Sequence, residues 1–125
     1  MREIKFRAWD KEDKYMLDWE MIKLDVEYSI NQLLEMDRFE MMQFTGLCDK
    51  NGKEIYEGDI VQIDNTDEVN MWFRGKKALV ECKPGRFRIL IESGEANMMK
   101  EDMSNVIEVI GNIYENPDLL QVGGE

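Results

Sequence analysis

Alternation of apolar and polar positions opens the chain. In Ile4-Lys5-Phe6-Arg7-Ala8-Trp9, Ile4, Phe6 and Ala8 fall on one face of an extended segment and Lys5, Arg7 and Trp9 on the other, the period-2 pattern of a half-buried strand. The charged run Asp10-Lys11-Glu12-Asp13-Lys14 predicts a turn, and Tyr15-Met16-Leu17 returns as the second strand of a hairpin. Residues 19–26 mix apolar and acidic positions without a clean period. Ser29-Ile30-Asn31-Gln32 fits a capping box, with Tyr28 and Leu33 placed as a hydrophobic staple, so a short helix is expected over residues 30–36 with Ile30, Leu33 and Leu34 buried.

From Glu40 the pattern turns to strands separated by turn residues. Met42 and Phe44 alternate with Met41, Gln43 and Thr45, and this strand is expected to stop at Gly46. Asn51-Gly52 predicts a type I′ hairpin turn, because both residues tolerate positive φ. After Glu57-Gly58-Asp59, the β-branched run Ile60-Val61-Gln62-Ile63 belongs in the core, and the acidic stretch 64–68 is a solvated loop. Residues 78–82 and 87–91 flank Lys83-Pro84-Gly85-Arg86, where Pro-Gly suits a type II turn. On that hairpin Val80, Cys82, Phe87, Ile89 and Ile91 are expected inward, and Glu81, Lys83, Arg86 and Arg88 outward. Residues 106–113 supply a last strand, Asn116-Pro117 starts a final helical turn, and residues 121–125 form a loose tail. The expected architecture is mainly β, a small closed or half-closed barrel spanning about residues 41–115. The N-terminal hairpin and short helix, about residues 1–40, would cap it within a single domain.

Composition narrows the chemistry. The chain has 125 residues, of which 43% are hydrophobic, enough for one folded domain. It contains no histidine, which removes Ser-His-Asp, Cys-His and His-zinc chemistries. Its two cysteines, Cys48 and Cys82, cannot make a four-thiolate zinc site and read as free thiols used in packing. Sixteen Lys and Arg against 27 Asp and Glu give a net charge of −11, which disfavours nucleic-acid phosphates and anionic membranes and makes a protein partner the default. No run is long and apolar enough for a membrane span and the N-terminus shows no signal-peptide core, so a cytoplasmic location is expected.

Three blocks together resemble a known family. They are Arg2-Glu3-Ile4-Lys5-Phe6-Arg7-Ala8-Trp9-Asp10, then Gln43-Phe44-Thr45-Gly46-Leu47-Cys48-Asp49-Lys50-Asn51-Gly52-Lys53-Glu54-Ile55-Tyr56-Glu57-Gly58-Asp59-Ile60-Val61, and finally Val109-Ile110-Gly111-Asn112-Ile113-Tyr114-Glu115-Asn116-Pro117. In order and spacing they are similar to the YopX family of small proteins encoded by bacteriophages and prophages. That resemblance implies an SH3-type β-barrel core, a phage origin and a bacterial cytoplasm, and it carries no catalytic residue and no cofactor.

Two loop motifs dissolve on inspection. Gly46 to Lys53 has the outline of a phosphate loop, but its spacer holds five residues instead of four and Glu54 stands where the magnesium-binding hydroxyl belongs. Asp49-Lys50-Asn51-Gly52 begins like a calcium loop, yet its glycine comes fourth instead of sixth and Ile60 occupies the position of the closing glutamate. No metal or cofactor is therefore expected. The stronger candidate is a basic group, Arg74, Lys76, Lys77, Lys83, Arg86 and Arg88, preceded by the aromatic pair Trp72-Phe73. Those aromatics are the best candidate anchor for a partner. The ten methionines fill irregular core gaps or make adaptable contact surfaces.

The functional expectation is a non-enzymatic phage accessory protein that binds another protein, of host or phage, and can self-associate. Trp72, Phe73, Arg74, Lys76, Lys77, Arg86 and Arg88 form its expected contact surface. Two rivals are an acidic DNA-mimicking decoy and a nucleic-acid reading, either a MazF-like ribonuclease using Arg86 or Arg88 with a nearby Thr or Ser, or a single-strand binder using the basic group with Trp72-Phe73 for stacking. The first is opposed by the interspersed Lys and Arg, the second by net acidity.

Overall fold

The computed structural model describes residues 4–24, 36–83, 86–91, 96–98 and 101–120. Among the described residues nine strands build two antiparallel sheets, so the chain is mainly β as expected. The first sheet has the order β2-β1-β3-β4, from β1 (Phe6–Asp10), β2 (Tyr15–Leu17), β3 (Phe39–Cys48) and β4 (Glu54–Tyr56). The second, a half-barrel, has the order β8-β7-β6-β5-β9, from β5 (Asp59–Ile63), β6 (Lys77–Lys83), β7 (Arg86–Ile91), β8 (Ala96–Met98) and β9 (Ile107–Asn112).

The expected N-terminal hairpin forms, with Ala8 opposite Leu17. It does not stand apart as a cap: β3 pairs along the whole of β1, from Phe6 opposite Gln43 to Asp10 opposite Phe39. Ile4, expected to share the inner face, lies before the strand and is exposed. The unpatterned stretch after β2 begins with a short helix, α1 (Trp19–Leu24). Its signal was local, because Asp18 accepts the Met21 N–H at 2.9 Å as an N-cap, Glu20 sits in the first turn and Lys23 in the last. The capping box at Ser29 lies outside the described residues. Met36, the last residue of that expected helix, is not helical.

The strand expected to stop at Gly46 continues to Cys48. Gly46 has φ 90° and absorbs an irregularity in which the four steps from Phe44 to Cys48 face only the two from Tyr56 to Glu54. The Thr45 hydroxyl donates to the Ile55 carbonyl at 2.8 Å and accepts from the Leu47 N–H at 3.1 Å, so the extra residues stay satisfied. The turn after it is not type I′, since Gly52 has φ 86° while Asn51 keeps negative φ. Asp49 organises that loop instead, as described below.

The half-barrel core matches the apolar pattern well. Val61, Ile63, Ala78, Val80, Ile89, Ile91, Ile107 and Val109 point inward, joined by Ile55 from β4 and by Val69 and Phe73 from the loop after β5. Phe87 is buried as expected, but Cys82 is exposed, because the inner cluster ends at Val80 and Cys82 lies beyond it near the hairpin end. The Pro84-Gly85 turn lies outside the described residues, as does the expected tail. A smaller cluster of Ala8, Leu17, Ile22 and Phe39 holds α1 on the first sheet. The final turn, Pro117–Leu120, is 3-10, with the Leu119 N–H donating to the Asn116 carbonyl at 3.1 Å.

Candidate functional site

The loop of residues 64–76 joins β5 to β6 and is pinned along its length. Val69 N–H donates to the Thr66 carbonyl at 3.1 Å, Phe73 N–H to the Asn70 carbonyl at 2.8 Å, and Gly75 N–H to the Asp64 carbonyl at 3.2 Å. Arg74 Nε donates to the Val69 carbonyl at 2.8 Å, which ties the two ends of the loop tip together. Val69 and Phe73 enter the core and act as feet. Between them Met71 and Trp72 stand out, 70% and 66% exposed, and the Trp72 N–H is held by Asn70 Oδ1 at 2.9 Å. Beside them opens a cleft of about 400 Å³ whose walls include Phe73, Ile89, Met103, Val106 and Ile107, with Glu68 and Asn70 also lining it.

The expected contact residues therefore divide. Trp72 is displayed, whereas Phe73 is buried and shapes the cleft wall. Arg74 is held by the Val69 carbonyl and lies 3.7 Å from Asp67, and Lys76 and Lys77 are exposed beside it at the start of β6. Arg86 is exposed and Lys83 half-buried at the other end of β6, about 20 Å away at strand rise, and Arg88 is engaged by Glu81 at 2.7 Å. The structure brings together 72–77 and leaves Arg86 and Arg88 elsewhere.

Sequence reasoning missed a second polar site, where the two sheets meet. The Arg7 guanidinium donates to Asp59 Oδ1 at 2.6 Å, and the second carboxylate oxygen accepts the Tyr56 N–H at 2.7 Å. The Tyr56 ring lies 4.8 Å from the guanidinium carbon. Both charges are withdrawn from water, the side chains being 12% and 1% exposed. Burial raises the Asp59 carboxyl above its ordinary range despite Arg7, and pushes the Tyr56 phenol up to about 12, with Glu54 adding to that shift. Lys5 pairs with Glu54 at the edge of the same cluster.

An open cleft of about 290 Å³ borders this pair, lined also by Lys53, Asn112, Glu115 and Asn116. It lies where β9 carries a bulge at Ile110, since Ile60 faces Gly111 while Val61 faces Val109. Gly111 is needed there: a Cβ would stand 2.6 Å from Asn116 Oδ1 and 2.8 Å from Leu119. All three sequence blocks singled out above contribute to this junction. They meet where the two sheets join, with both carboxylate oxygens of Asp59 engaged and the Arg7 Nε buried without a hydrogen-bond partner. Among the described residues no group of three or more His, Cys, Asp or Glu could hold a metal ion.

Fold and surface thus define a small two-sheet β protein with one rigidly mounted aromatic loop. The family described as YopX protein matches residues 5–121, and the chain belongs to that family. Among solved structures, protein EF1440 from Enterococcus faecalis is similar at 28% identity, over 97% of this chain and all (100%) of the other, with a TM-score of 0.68. Protein yopX from Bacillus subtilis shares the fold at 24% identity, over 98% of each chain, with a TM-score of 0.62. No curated protein matches the chain. Neither the family's name nor those of the two solved proteins carries an activity.

Proposed function

We propose that this protein is a non-enzymatic binding module of phage or prophage origin, working in the bacterial cytoplasm, whose contact surface is the Trp72 loop and the cleft beside it. The observation that carries the reading is Trp72, a large apolar side chain 66% exposed on a loop whose neighbours are fixed in the core. An indole has only two side-chain torsions to fix on binding, and such residues dominate interface energetics. At the polar junction both Asp59 oxygens are engaged, by Arg7 and by the Tyr56 N–H, which weighs against Asp59 as a general base there.

Ion pairing argues against a DNA-mimicking decoy. Asp10, Glu12, Asp13, Glu40, Glu54, Asp59, Asp64 and Glu81 are each within reach of a Lys or Arg, so these carboxylates do not form uncompensated rows. Arg88 is occupied by Glu81, which weighs against its use on RNA.

The test places a photoreactive phenylalanine analogue at position 72 of the full chain, with position 14 as the control, and irradiates cells producing it. Discrete protein adducts at 72 that are absent at 14 and survive nuclease are expected. Nucleic-acid adducts, or no adducts at all, would overturn the reading.

A further inference from the structure

We infer that Asn51 is a site of spontaneous covalent modification, at which the Gly52 nitrogen displaces the side-chain amide of Asn51, and that the loop of residues 49–53 both sets the rate of this step and is undone by its product.

Of the eight asparagines in the chain only Asn51 precedes a glycine. That neighbour matters chemically, because a residue without Cβ leaves the path from its own nitrogen to the preceding side chain uncrowded. The loop is open in space as well: residues 50–53 are exposed, and a Cβ built on Gly52 would meet nothing within 4 Å. The Gly52 nitrogen attacks Asn51 Cγ, a new C–N bond closes a cyclic imide, and the side-chain nitrogen leaves as ammonia, taking up the proton released from the Gly52 N–H. Water then opens the imide at either carbonyl. One opening gives an ordinary aspartate at position 51. The other gives isoaspartate, in which the backbone runs through the former side chain and is one atom longer. The steps consume only water.

The folded loop opposes the first step at both reacting groups. The Gly52 N–H donates to the Asp49 carbonyl at 2.9 Å, which keeps the attacking nitrogen protonated. Asn51 Nδ2 donates to Glu108 Oε2 at 3.3 Å, which holds the leaving group against β9. Asp49 maintains this geometry, its Oδ1 accepting the N–H groups of Asn51 and Lys53 and its Oδ2 that of Val109. Attack therefore requires local opening of the loop, and the extent of opening sets the rate.

The product does not restore those contacts. At position 51 a carboxylate would face Glu108 where an N–H donor stood, and the nearby cation, Lys50, is already held by Asp64 at 2.8 Å. In isoaspartate the added backbone atom also falls between the N–H groups of residues 51 and 53, the pair that Asp49 Oδ1 holds together. Once the loop lets go, its bonds to the Val109 N–H and the Ile107 carbonyl are lost, and part of the β9 edge is uncovered.

For the test, the full chain is kept folded in mildly alkaline buffer beside a sample unfolded in guanidinium chloride, and both are followed by peptide mapping with isoaspartate detection. Modification at Asn51 is expected to run ahead of the other asparagines in the folded chain, and to be slower there than in denaturant. Asp49→Ala is expected to raise the folded-state rate about tenfold or more. The modified wild-type fraction is expected to exchange its Val109 amide faster than the unmodified one. Asn51→Asp, which carries the product's charge on an unaltered backbone, gives a second readout that stands even where Asp49→Ala does not fold: its Val109 amide is expected to exchange faster than that of the wild type. A folded chain that stays intact at Asn51 while the unfolded one is modified, equal rates in the two samples, or modified and Asn51→Asp chains whose Val109 exchange is unchanged would overturn the inference.

Discussion

Asp10 shows how much one buried carboxylate can organise. Arg38 donates to both of its oxygens, from Nε at 2.9 Å and Nη2 at 2.8 Å, and the N–H groups of Glu12 and Asp13 donate to Oδ1 at 3.0 and 3.1 Å. The Arg38 hydrogen bonds are the main cause, working against burial and helped by those two N–H groups, that holds its pKa at about 2 against 3.8 for an ordinary aspartate. Because the folded value lies below the unfolded one, ionised Asp10 stabilises the fold at pH values above 3.8, and that contribution disappears as pH falls through about 2. Urea midpoints measured from neutral pH down to acid should therefore fall more steeply for the wild type than for Asp10→Asn, and the gap between them should close at the acid end. Parallel curves for the two proteins would show that Asp10 gains nothing from Arg38. The Asp10-to-Lys14 turn was legible as charge, but the partner 28 residues away was not. Only pairing of β1 with β3 brings Arg38 beside it, where it also meets Asp13 at 3.0 Å.

At the scale of elements, the loop between β3 and β4 acts as a latch. Asp49 Oδ1 accepts the N–H groups of Asn51 and Lys53, both at 2.9 Å, while Oδ2 reaches across to the Val109 N–H of β9 at 2.8 Å. Lys50 N–H adds a bond to the Ile107 carbonyl at 3.0 Å, so part of the β9 edge is covered by this loop. Burial opposes the Asp49 charge, yet the N–H donors of Val109, Lys53 and Asn51 outweigh it and hold the carboxyl below its usual range. Asp49→Ala strands these donors and should lower the unfolding free energy by about 2–3 kcal/mol, read by denaturant titration. It should also speed amide exchange at Val109 specifically. A change confined to the loop amides would mean that the reach to β9 carries no weight. The Asn-Gly pair announced a turn here, but not its type, because the Asp49 hydrogen bonds and the link to β9 override the local preference for I′.

For the whole molecule, the decisive contact joins the sheets. Arg7 stands on β1 and Asp59 on β5, and breaking a buried pair leaves its remaining charge uncompensated. Asp59→Ala should cost about 3–5 kcal/mol, and the paired change Arg7→Met with Asp59→Leu should recover much of that loss. Thermal melts of the single and double variants check this; equal loss in both would place the effect in packing and not in charge. The same pair explains why the three sequence blocks that carried the family resemblance come together at one junction: Arg7, Asp59 and the bulge of β9 form a single joint.

The sequence by itself determined the strands of the half-barrel, since alternation of Val61, Ile63, Val80, Ile89 and Ile91 reflects a period imposed by the backbone. It also determined the N-terminal hairpin, the solvated acidic loop and family membership, all written in local pattern or in continuous motif. Tertiary structure alone decided that β3 joins the first sheet, that Phe73 turns inward while Trp72 turns out, and that the basic residues separate to opposite ends of β6. Each of these depends on which distant backbone or side chain supplies the partner. Periodicity and local propensity carry no record of such contacts, because they describe neighbours along the chain and the free energy of burial is set by neighbours in space.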